Sequence, residues 1–85
     1  MSEAYLKKIF SLTNIAWQQY KKWAETPIEA RNDLYWDKVT HEINELVKEH
    51  SEEDTKQFFT DTLNAYAGQL NKEASKQFKQ ERLTL

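Results

Sequence analysis

His41-Glu42-Ile43-Asn44-Glu45 is the stretch whose residue types come nearest to reaction chemistry. Two histidines four apart on a helix can hold zinc while the glutamate between them takes a proton from the bound water, but here Glu45 stands where the second histidine is required. His50 falls nine positions after His41 and about 180° round a helix, so one ion cannot take both. His41 and Glu45 at i, i+4 leave a metal-dependent hydrolase as a minor alternative, against a solvated polar face as the better reading. A diiron centre needs Glu-x-x-His pairs, and neither histidine has Glu three residues before it.

Nucleophiles fare no better. Ser51 reads as a helix cap, and Ser2, Ser11 and Ser75 have no base beside them in the sequence. Gly68 is the only glycine, whereas a phosphate-cradling loop, a dinucleotide fingerprint or a strained serine elbow each needs two or more. The chain has no cysteine, which removes thiol catalysis, zinc ribbons and disulfides. The expectation is a protein that is not an enzyme and carries no catalytic residues, no metal and no cofactor.

Binding chemistry is better represented. Trp17-Gln18-Gln19-Tyr20-Lys21-Lys22-Trp23 mixes rings with cations, as a platform for stacked single-stranded bases does. At about 100° per residue, however, the rings fall on one side of a helix and the lysines on the other, which favours core rings and solvated charges. Lys72, Lys76 and Lys79 form a second basic stripe, but three lysines give little phosphate-derived affinity. With 12 Lys and Arg against 14 Asp and Glu, the net charge is −2. Weak nucleic-acid binding through the lysine faces of the first and last helices is therefore the alternative reading.

Three segments must position these residues. Thr26-Pro27-Ile28-Glu29 places a side-chain acceptor before a proline that needs no helical partner, with an acid reaching back from the third position. Ser51-Glu52-Glu53-Asp54 repeats the pattern with acids in what would be a first turn. The punctuation predicts helices over 3–25, 27–49 and 52–82, an all-α antiparallel three-helix bundle forming one domain over 1–85 with a frayed end. The last segment would close at Gly68 and leave a fourth helix in the alternative layout, but Tyr66, Leu70 and Ala74 keep their phase across the glycine.

Helical projection gathers Leu6, Ile9, Phe10, Leu12, Ala16, Trp17, Tyr20, Trp23 and Ala24 into the expected core arc of the first helix. Ile28, Tyr35, Trp36, Val39, Ile43, Leu46 and Val47 form that of the second. Phe59, Leu63, Tyr66, Ala67, Leu70, Ala74 and Phe78 form that of the third. One apolar residue in each helix falls off its stripe: Ile15, Leu34 and Phe58. A leftover strip from Tyr5, Trp23, Trp36 or Phe78 is a further candidate for a dimer seam.

Charge is unevenly shared, with +4 and −2 over residues 1–25, +3 and −6 over 26–50 and +5 and −6 over 51–85. In a bundle, Lys7 and Lys8 are expected near the acidic end that carries Glu45, Glu49, Glu52, Glu53 and Asp54. The polar start Met1-Ser2-Glu3-Ala4 lacks the apolar run of a signal peptide and no stretch spans a bilayer, so the expected compartment is the cytoplasm. Abundant Lys, Asn, Gln and Glu lean toward an AT-rich bacterial or phage gene.

The size and all-helical plan resemble those of small bacteriocin-immunity proteins and short phage-encoded inhibitors, a resemblance of plan that implies a stand-alone binding role. The expected function is a protein-protein interaction or inhibitor module that presents a rigid helical face to a protein partner or to itself. The expected partner-binding residues are Ile15, Leu34 and Phe58, flanked by Glu42, Glu45 and Glu49.

Overall fold

A computed structural model describes the backbone of residues 2–83 and the side chains of residues 2–74. Three α-helices and one short 3-10 turn follow in order: α1 over Glu3–Ala24, the turn over Ile28–Ala30, α2 over Asp33–His50 and α3 over Lys56–Leu83. The chain is an all-α three-helix bundle, and no strand occurs among the described residues.

Caps explain the boundaries. The Ser2 hydroxyl accepts from the Tyr5 amide at 3.2 Å to open α1, with Glu3 in the first turn and Lys21 and Lys22 in the last, each where the helix dipole favours it. Pro27 cannot continue the helix. Thr26-Pro27, expected to start the second helix, starts only the 3-10 turn. Arg31 then leaves helical geometry (φ −82°, ψ 79°), and Asn32 caps α2 instead, accepting from the Tyr35 amide at 3.0 Å. The reversal is pinned by Arg31, which donates to the carbonyls of Thr26 at 3.0 Å and Leu70 at 3.3 Å.

Ser51 is the second boundary residue with a different role from the one expected. It closes α2, both its amide and its hydroxyl donating to the Val47 carbonyl at 3.2 and 2.5 Å. Thr55 opens α3: its carbonyl accepts from the Phe59 amide at 3.0 Å, while its buried hydroxyl accepts from the Glu52 amide at 3.1 Å. Glu52, Glu53 and Asp54 therefore lie in the preceding turn, and Lys8 meets two of them, at 2.7 Å to Glu52 and 3.6 Å to Asp54. The hydrogen bond to Glu52, more than any other influence, raises the Lys8 pKa above its usual value.

These links fix the topology. Lys8 ties the start of α1 to the start of α3, and Tyr35 ties the start of α2 to the end of α1 by donating to the Trp23 carbonyl at 2.7 Å. Hence α1 and α3 run parallel and α2 runs against both. α3 is the hub, packing along α1 and along α2. Its Phe59, Leu63 and Leu70 are wholly buried against Leu12, Ala16 and Trp23 of α1 and Val39 and Ile43 of α2. At about 1.5–3 kcal/mol for each fully buried large apolar side chain, this set is the main source of stability.

α3 is continuous through Gly68, which has ordinary negative φ and open space where a β-carbon would sit. With 28 residues against 22, it is about 42 Å long beside about 33 Å for α1. The side chains of Lys76, Phe78 and Lys79 and the expected frayed end at 84–85 lie outside the described residues.

Candidate interaction face

The stripes that the sequences of α2 and α3 announce are buried or half-buried as far as residue 74, but that of α1 is not. Its buried residues are Leu12, Ala16 and Trp23, with Ile9 and Tyr20 half-buried. Ile15, expected off the stripe, is half-buried and packed against the core, and so is Phe58 of α3. α2 lies on the Ile15 side of α1, as the contact between Gln19 and Glu42 shows, and this turns the buried arc toward Ile15 and away from Phe10. Leu6, Phe10 and Trp17, assigned from the sequence to the core, are 50%, 74% and 45% exposed. Ala24 is exposed as well.

Leu34 is the one member of the expected apolar trio on the outside, 77% exposed. It sits in the first turn of α2, at the opposite end of the bundle from Phe58 in the first turn of α3. The trio is therefore not one surface.

The flanking acids separate too. Glu42 is committed to holding α1 on α2: its carboxylate accepts from Trp23 Nε1 at 2.6 Å and Gln19 Nε2 at 2.9 Å, with Lys38 at 4.0 Å. A cleft of about 570 Å³ opens beside these groups, and among the described residues no buried side-chain polar atom lacks a hydrogen-bond partner. Glu45 and Glu49 are exposed, Glu49 lying 3.7 Å from His50. His41 is exposed alongside Glu45, and among the described residues no three His, Cys, Asp or Glu side chains converge on a metal-sized site. Of the lysines read as a nucleic-acid face, Lys8 is engaged by Glu52 and Asp54, whereas Lys7, Lys21, Lys22 and Lys72 are exposed.

The surface that does form is on α1. Leu6, Phe10 and Trp17 fall within about 40° of one another round the helix and cover three turns, about 16 Å. Thr13 fills the gap, so the 6, 10, 13, 17 spacing alternates four and three, the spacing of a coiled-coil seam. This seam faces the open side of the α1 and α3 groove, away from α2. Trp17 stacks on Tyr20 at 5.7 Å between centroids, and Tyr20 meets Tyr66 of α3 at 4.9 Å. Tyr20 in turn donates to Glu73 at 3.2 Å, and burial, ahead of that bond, raises its pKa. The rings thus form a fixed floor at one end of the strip.

No protein-family model, no curated protein and no solved structure matches this chain. The strip itself is therefore the functional lead. The signal was present in the sequence: apolar residues of α1, from Ile15 round to Phe10, span about 220°, more than a helix with two neighbours in a small bundle can cover. No helix among the described residues is long and apolar enough to cross a membrane.

Proposed function

We propose that this chain is a non-enzymatic protein-interaction or inhibitor module that works by presenting the outward strip of α1. The observation that carries the reading is the exposure of Leu6, Phe10 and Trp17 on successive turns of one face. Together they leave roughly 400 Å² of apolar surface, the size at which a patch on a monomer is commonly functional. At about 25 cal/mol per Å², that surface offers roughly 10 kcal/mol. Association costs on the order of 4–15 kcal/mol, so a lasting complex also needs contacts from the rim.

Placing the strip on a helix suits this work. Its backbone is fully bonded and its rings at Trp17 are braced by Tyr20 and Tyr66, so little order is lost on binding. Photo-crosslinking tests the reading directly. A benzophenone side chain in place of Phe10 should give discrete adducts in the native host, and the same group in place of Lys48, exposed on α2, should not. No adducts from position 10, or equal adducts from both positions, would remove the support for this face.

A further inference from the structure

We infer that the strip of α1 docks on the same strip of a second copy, the two α1 helices running antiparallel about a two-fold axis at the level of residue 12. The inference rests on the interaction-module reading and names its partner. Glu3 and Lys21 mark the two ends of the strip, within about 40° of Phe10 and Trp17 round the helix. Lys21, expected opposite the rings, thus lies beside Trp17, and of the pair Lys21-Lys22 only Lys22 points well away. Neither takes part in an ion pair among the described residues.

A two-fold rotation maps this face onto itself with matching chemistry. Residue 3 lies nine positions before residue 12 and residue 21 lies nine after it, so each Glu3 comes to the level of the other copy's Lys21. The same operation brings Leu6 to within one residue of the level of the other copy's Trp17 and Phe10 to within one residue of its Thr13, large against large at the ends and large against small between them. Lys7 comes to the level of the other copy's Trp17 rather than to that of a lysine. The two helix dipoles also oppose, acid-bearing first turn beside base-bearing last turn. A parallel pairing would instead set Glu3 against Glu3 and Lys21 against Lys21.

Area agrees with a second copy. Interfaces are ordinarily about 57% apolar, so roughly 400 Å² of apolar surface implies roughly 700 Å² per copy, close to the roughly 800 Å² per partner of a stable standard-size contact. Because the contact is isologous, it closes at a dimer.

Sedimentation equilibrium of the full chain, from micromolar to near-millimolar concentration, tests the pairing, with circular dichroism confirming equal helicity. The wild type should dimerise. Glu3→Lys and Lys21→Glu should each weaken dimerisation by about tenfold, since symmetry places every change at both ends of the contact. The combined swap should return it to within about threefold of the wild type. Single reversals without effect, or a swap no better than either, would overturn the antiparallel register. A wild type monomeric throughout would overturn the second copy as occupant, while position-10 crosslinks to a different protein would leave the interaction-module reading standing.

Discussion

The two flanks of α1 end differently. Toward α2 the seam is closed by polar side chains with definite partners: Glu42 receives Trp23 and Gln19, and the Tyr35 hydroxyl reaches the Trp23 carbonyl. Toward the open side of α3 the one such link among the described residues is the Tyr20 hydroxyl donating to Glu73 at 3.2 Å, and beyond it Trp17, Phe10 and Leu6 are left exposed. Directional bonds finish a surface, since each group has a fixed number of partners. Apolar area has no such limit and continues to gain from whatever covers it. The first flank therefore belongs to the fold, and the second is the one proposed for an encounter.

Substitutions that break this contrast rank by size. Phe59→Ala removes a wholly buried ring from the hub on which both flanks rest and should cost about 3–5 kcal/mol, enough to leave a small domain largely unfolded in a urea titration. Glu42→Ala should open only the α2 flank. It strands the indole N–H of buried Trp23, and denaturant unfolding should report a loss of about 1–3 kcal/mol without change in the exposure of Trp17.

Tyr35→Phe is the gentler cut on the same flank, expected at about 0.5–1.5 kcal/mol for one lost hydrogen bond. It also carries a pH signature. Burial raises the Tyr35 pKa above 10.0, outweighing the nearby Arg31 guanidinium. The folded state thus prefers the neutral phenol, a contribution fully present below pH 10 and lost as pH rises through the elevated value. Melting temperature should fall more steeply with pH above 10 in the wild type than in the variant, and identical slopes would show that Tyr35 is not held as described.

Much of the frame was legible in the sequence because caps and periodicity act locally. Phe59, Leu63 and Leu70, or Val39 and Ile43, could be placed in the core from spacing alone, and Lys8 could be matched to its acidic partners. The boundaries moved where two capping groups competed: Asn32 displaced Thr26, and Thr55 displaced Ser51, choices set by Arg31 reaching Leu70 and by burial of Thr55. The exposed apolar face of α1 differs from the expected one for a related reason. Periodicity shows that α1 is apolar over a wide arc but not which part its neighbours cover, and that depends on which side α2 takes. Ile15 and Phe10 exchanged roles on that one fact.

The concentration dependence of thermal unfolding, for the wild type beside Phe10→Glu, tests the central claim most directly. Dilute, both should melt together, because an outward residue contributes within about 0.5 kcal/mol to the monomer. At high concentration the wild-type midpoint should rise as association draws on the folded state, while that of the variant stays fixed. A variant that melts well below the wild type even when dilute would place Phe10 in the core, and a wild-type midpoint indifferent to concentration would contradict the pairing of the strip with itself.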